Sequence, residues 1–244
     1  MLALEIIGRI CGLPLLLPWP SYIVTVSLPS LAVFGGASQP DLGIALLSLG
    51  SHLAVTIWRI ILGVILGCAA GFLIGSGTFL LARRCSGETI LLALLRSLPL
   101  FGLIPLFILW FAGREIGIWM YIGFSTAIVV ATGFYQAIIN IPSNYLLQAK
   151  LLGATPLKQF YTVVVPAMAP ELMGTVRNIL GLSWAFSLGA EYTSSGDGLG
   201  HLVYLSYLYA DMGKLAVLAA VYCIFGLMVH LVWSRISAQL TRWA

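Results

Sequence analysis

An all-α, polytopic membrane protein is what this sequence predicts, with about six transmembrane helices, the first short or partial, in a single domain over residues 1–244. Three observations predict it. Only 8% of residues are charged and 60% are apolar, where a soluble domain carries about 25% charged residues. The mean hydropathy is +1.03. Uncharged runs near the length of a span, about 20 residues, follow one another with short polar breaks.

The segment Leu2–Leu17 is short for a span and carries Glu5 and Arg9 on one helical face, so a partial or tilted first helix is expected. Glu5, Arg9 and Pro14 lack the basic start and clean apolar core of a cleavable signal peptide. Ile60–Ala82 is uncharged and stops at Arg83 and Arg84; Leu91–Gly113 is interrupted only by Arg96. Ile116 to about Ile139 is uncharged, with Pro142 beyond it, and Leu215–Ser234 runs uncharged to Arg235. A weaker span covers about Met168 to Ala190, which contains Glu171 and Arg177. Its charge-free part, Asn178–Ala190, is too short to cross alone. The span must begin earlier, with Arg177 turned toward protein or water.

Sidedness follows from the loops. Arg83, Arg84, Lys150, Lys158, Arg235 and Arg242 fall on one side, against Arg114 and Lys214 with Glu115, Asp197 and Asp211 on the other. The positive-inside rule puts the first set, and with it both termini, in the cytoplasm. The net charge of +4 is scattered, without the basic stripe of a nucleic-acid binder.

Enzyme chemistry finds no foothold. There is no phosphate loop, nucleophile elbow, paired-histidine motif or CxxC. His52, His201 and His230 are isolated, His230 reading as a packing residue. Cys11, Cys68, Cys85 and Cys223 show no metal-ligand spacing. Gly63, Gly67, Gly71 and Gly75 recur every four residues, with Gly77 just after. That spacing lets another backbone approach closely, and packing within the subunit is preferred over a dimer or gate surface.

The connection at about 141–166 is the most informative stretch. A helix-forming amphipathic segment from Ser143 meets Gly153, where a left-handed backbone is allowed. Thr155 can then cap a second helix with Pro156 at its first position. Helix, sharp turn and helix are expected, at a length unusual for a plain loop.

This stretch resembles the signature of permease subunits in binding-protein-dependent ABC importers: Glu-Ala-Ala, three residues, Gly, nine residues, Ile-x-Leu-Pro. Here the positions read Leu147-Gln148-Ala149, Gly153, then Val163-Val164-Val165-Pro166. Leu147 stands where the family has Glu, and Gln148 where it has the first Ala. Leu17-Pro18-Trp19-Pro20-Ser21, Arg59-Ile60-Ile61-Leu62-Gly63 and Ile104-Pro105-Leu106-Phe107-Ile108-Leu109-Trp110-Phe111 are similar to motifs of the aliphatic sulfonate, taurine, nitrate and bicarbonate subgroup. So are Arg177, Gly181, Trp184 and Glu191 with Gly198-Leu199-Gly200. The family's first span starts further upstream, so the first helix here reads as shortened.

The resemblance implies a type I importer permease of the bacterial inner membrane, carrying a small anionic solute. It implies a second, identical permease subunit, two ATPase subunits that bind the ATP and Mg, and a periplasmic or lipoprotein solute-binding protein. The chain itself would hold no cofactor or metal. Leu147, Gln148, Ala149, Lys150, Gly153, Ala154 and Pro166 would form the ATPase-coupling segment, with Ala149 facing the ATPase groove. Arg59, Arg177, Trp184, Glu191, Gly198 and Gly200 are the pathway or gate candidates. Arg59 is an interfacial arginine or an attractor of the anion; Arg177 is an ion-pair partner of Glu171 or Glu88. Glu191 and its Gly-rich loop are an outer gate, a contact for the binding protein, or a connector with a helix-capping carboxylate. A gradient-driven secondary transporter or channel is the alternative, and it would show matched broken helices in internal repeats. None is evident.

Overall fold

The computed structural model describes Glu5 and residues 18–82, 94–95, 97–194 and 196–240. The expected first span at Leu2–Leu17 lies outside these residues apart from Glu5, as do Arg83, Arg84, Glu88, Arg96 and Arg242. The described residues are helical, without a strand among them.

Helix α1 (Pro20–Gly35) starts on Pro20, passes through a π-helical and a 3-10 stretch, and ends at Gly36 with φ +87°. Asp41 then accepts from the Ile44 backbone N–H at 2.8 Å and opens α2 (Leu42–Ala82). The 41 residues of α2 make it far longer than the Ile60–Ala82 run. Leu42–Trp58 carries no breaker stronger than Gly43 and Gly50, so the helix continues through His52 and Arg59. At 1.5 Å per residue it is roughly 60 Å long, about twice the hydrocarbon thickness.

The expected unbroken span at Leu91–Gly113 is corrected in its described part. The chain bends at Leu98 and Pro99, and α3 (Leu100–Trp110) starts afresh. Proline has no N–H to donate and pushes the preceding residue out of the helical region. Ala112 and Gly113, both at positive φ, turn the chain into α4 (Glu115–Ile139). After α5 (Ser143–Leu151) comes a nearly continuous rod: α6 (Pro156–Gln159), a π-helical turn at Phe160–Val164, and α7 (Val165–Ser194). The helix expected as the fifth span starts at Val165, close to the expected Met168 and ahead of Asn178. A short α8 (Leu199–Leu208) and the long α9 (Met212–Leu240) complete the bundle.

Helix α4 is the centre, with Tyr121, Ile122, Ala131 and Phe134 fully enclosed. The glycine stripe explains how α2 reaches it. A Cβ added at Gly63 would sit 2.6 Å from Ile122 Cβ, at Gly71 2.5 Å from Val130 Cβ, and at Gly75 2.8 Å from Phe134 Cβ. Gly67 meets Thr126 in the same way. Both registers rise together, so α2 and α4 run parallel, and the stripe packs within the subunit. Gly77 meets nothing within 4 Å.

Leu31 and Ala32 of α1 pack with Ala45 and Val217, joining α1 to α2 and α9. Beyond its first turns α9 turns Ile224, Leu227, Met228, Leu231 and Val232 outward. Such an apolar surface suits lipid or another membrane subunit.

Candidate functional site

Two ends of the α6–α7 rod carry distinct constructions. At the first end, α5 closes in a Schellman motif: Ala154 N–H donates to Ala149 O and Gly153 N–H to Lys150 O, each at 3.0 Å. Gly153 sits at φ +76°, a conformation that penalises any side chain. Thr155 Oγ1 accepts from Lys158 N–H at 3.3 Å and caps α6. Gln159 folds back and donates through Nε2 to Ala154 O at 2.8 Å. Helix, sharp turn and capped helix are therefore present as expected.

Phe160 anchors this segment, stacking on Phe134 at 6.3 Å between centroids, beside buried Val164 and Met168. The segment is thereby fixed to both α4 and α7. Outward it presents Tyr145, Leu147, Leu151, Leu152, Leu157 and Tyr161, with Leu152 88% exposed. Gln148, Lys150, Gly153 and Pro166 are also exposed, and Ala154 is half-buried. Ala149 departs from the expected orientation: it is 8% exposed and faces the segment's own interior, so it offers nothing to a groove.

At the other end lies a buried polar network. Arg59 is 2% exposed, which corrects its reading as an interfacial or anion-attracting residue. Its Nη1 donates to Glu191 Oε1 and to Asp197 O, each at 3.1 Å, and its Nη2 to Asp197 Oδ1 at 2.6 Å. Glu115 Oε1 lies 3.4 Å from Nε. Glu191, at 0% exposure, also accepts from Thr56 Oγ1 and Gly200 N–H at 2.9 Å, and from Ser187 Oγ at 3.3 Å. Thr56 Oγ1 accepts from Leu199 N–H, and His52 Nδ1 from Gly198 N–H, both at 2.9 Å.

The opening N–H groups of α8 are thus satisfied by side chains from α2 and α7. This is capping in trans. Gly198, at φ +96°, comes so close that an added Cβ would lie 2.5 Å from the Glu191 carboxyl carbon. At Gly200 it would lie 2.6 Å from Glu191 Cβ. His52, Thr56 and Asp197 were missed among the candidates. On α2, His52, Thr56 and Arg59 stand four and three residues apart, and this polar stripe on an apolar helix was the available signal.

Arg177 belongs to neither end. Glu171 accepts instead from Asn140 Nδ2 at 2.9 Å, and Arg177 has no ion pair among the described residues. It is exposed, lying with the equally exposed Asn178, Gly181, Leu182 and His230 along an open groove of about 480 Å³ between α7 and α9. Trp184 is buried, edge-on to Tyr222 at 5.8 Å, and forms the wall of an adjoining space. His230 is exposed to this groove and not packed away.

Comparison with known proteins bears on all of this. Residues 63–242 match the family described as binding-protein-dependent transport system inner membrane component. The chain is 30% identical over 188 residues to the aliphatic sulfonates transport permease protein SsuC of Escherichia coli (strain K12), covering 70% of each chain. It is 24% identical over 230 residues to the taurine transport system permease protein TauC of the same organism, covering 94% of this chain and 81% of that one. A chain of the MetNI methionine ABC transporter, solved in inward-facing conformations, matches with a TM-score of 0.62 at 18% identity. The match covers 83% of this chain and 99% of that chain, a likeness of fold.

Proposed function

We infer from its membership of the binding-protein-dependent transport system inner membrane components, the family to which this chain belongs, how it works as the permease subunit of an ABC importer. It is a transport subunit and not an enzyme. Its solute is a small anion of the sulfonate, nitrate or bicarbonate class, delivered by a binding protein and passed between two identical permease subunits. The Gly153 end faces the cytoplasm and the Glu191 end faces the binding protein, as the basic loops suggest.

The exposed helix–turn–helix around Gly153 carries this reading. Leu147, Leu151, Leu152 and Leu157 surround a turn tied by Phe160 to α4 and α7. A leucine-rich knob of this kind would be costly in water and suits a groove on an ATPase subunit. Because the rod is nearly continuous to Ser194, a push on the knob would travel to the other face without bending a loop. Binding of ATP and Mg by the partner would thus move the chain that carries the path.

The test is Gly153→Glu in the intact complex. A side chain at φ +76° distorts the turn. ATP hydrolysis should persist while uptake falls at least about tenfold, with the chain still in the membrane. Uptake within about twofold of the parent at equal expression would defeat this role for the segment.

A further inference from the structure

The opening of α8 hangs on an acceptor that a proton can take away. Gly198 N–H donates to His52 Nδ1 at 2.9 Å, its one acceptor among the described residues. A backbone N–H can be accepted only by a ring nitrogen that carries no hydrogen. An imidazolium bears a hydrogen on both nitrogens, so this bond exists only while His52 is neutral.

Protons can reach the ring. His52 is half-buried, and it stands seven residues before Arg59 on α2 (59 − 52). Two turns of helix carry it roughly 10 Å further out. Arg59 itself lies 3.4 Å from Glu115, the first residue of α4. His52 is therefore beyond the outer end of the central helix.

The charged and titratable groups around the ring divide. His201 on α8 and Arg59 on α2 oppose a further cation there, and Asp197 in the loop favours one. Glu191 of α7 and Glu115 of α4 are both engaged with Arg59. Lys214 and Asp211, at the entry to α9, pair with each other. A positive ring would also face the N-terminus of α8, whose dipole repels cations.

We propose that His52 is a proton-operated latch: protonated from the outer side, it releases Gly198 and frees the loop that lays Asp197 over Arg59. The latched form holds the neutral ring and so binds fewer protons, which means its stability falls as pH falls. An ordinary histidine makes this change near about pH 6.5. The freed loop can move only outward, because an added Cβ at Gly198 would already lie 2.5 Å from the Glu191 carboxyl carbon. Its neighbour Asp197 meets Arg59 through both its carbonyl, at 3.1 Å, and its carboxylate, at 2.6 Å. Release therefore slackens the outer hold on Arg59. Thr56 and Glu191 keep the N–H groups of Leu199 and Gly200, so α8 itself stays in place. Resting on the importer reading, this end faces the medium, and acid outside loosens the surface that meets the binding protein.

Hydrogen exchange of the complex with ATPase and binding protein, nucleotide-free in nanodiscs, tests the latch. Fragmentation resolves single amides, and each rate is divided by that of the unfolded fragment at the same pH. In the parent, protection of the Gly198 amide should fall at least about fivefold from about pH 7.5 to about pH 5.5. That of Leu199, bonded to Thr56, should change less than about twofold. His52→Asn puts an oxygen in place of Nδ1, an acceptor that does not titrate, and should keep Gly198 protected at both pH values. His52→Phe should leave it unprotected at both. His201→Gln should retain the fall, since that ring takes no part in the bond.

No fall in the parent, a fall that persists in His52→Asn, or one that vanishes in His201→Gln each overturns the latch. The parent and His201→Gln series decide the matter even where His52→Asn does not fold. Retention of an ATPase subunit is scored on the same preparation. Its absence sinks the importer reading, and the exchange data still judge the latch.

Discussion

Arg59→Met is the sharpest probe of the network that joins α2, α7 and α8. It removes the guanidinium from Glu191, which is at 0% exposure and keeps Thr56, Ser187 and Gly200 as neutral donors. Stripping one partner from a buried ion pair costs about 3–5 kcal/mol, because the other charge stays behind without compensation. For a chain of this size 1 kcal/mol shifts Tm by about 2–4 °C, so a drop of roughly 6–20 °C is expected. Glu191→Gln should cost less, about 1–3 kcal/mol, since Arg59 keeps Asp197 at 2.6 Å and Glu115 at 3.4 Å. In the double variant no buried charge is stranded. Its loss should undercut the sum of the single losses by about 0.5–3 kcal/mol. Scanning fluorimetry or near-UV circular dichroism of the purified chain in nanodiscs measures all three. Strict additivity, or a drop under about 2 °C for Arg59→Met, would refute the argument that a buried pair holds this end together.

The glycine stripe predicts a position-specific pattern. Gly71→Leu should separate α2 from α4 and lower Tm by more than about 5 °C, and Gly50→Leu, in open space, should leave it within about 2 °C. At the knob, Leu152→Asp should weaken retention of the ATPase in a pull-down at unchanged Tm, since the side chain touches only solvent in the lone chain. Ala149→Phe should do the opposite, lowering Tm first, because the residue faces inward.

What the sequence could show depended on distance along the chain. The turn at Gly153 and the Thr155 cap were legible because their hydrogen bonds close within about five residues and depend on glycine's freedom and a hydroxyl's reach. The stripe on α2 was legible because its period is that of the helix itself. The start of α2 was not, since Leu42–Trp58 holds two glycines and a histidine, and no stop signal told span from loop. The Arg59–Glu191 pair was not, because 132 residues separate its partners and nothing local to either names the other. From sequence Arg177 reads as the partner of Glu171 or Glu88; Asn140 takes the Glu171 carboxylate across the α4–α7 packing, and Glu88 lies outside the described residues.

That separation of 132 residues also has a temporal side. At a synthesis rate of about 5–20 residues per second, Arg59 is joined to the chain roughly 7–26 s before Glu191. During that interval a cation on a freshly inserted helix has no carboxylate from α7 to neutralise it. Its long stem lets it wait at the head groups. Glu115, 57% exposed in the finished chain, is made earlier and can serve as a first companion. The arginine would then be drawn inward only when α7 arrives. A nascent chain halted before residue 191 should therefore leave Arg59 reachable by a water-soluble reagent, and the finished chain should hide it.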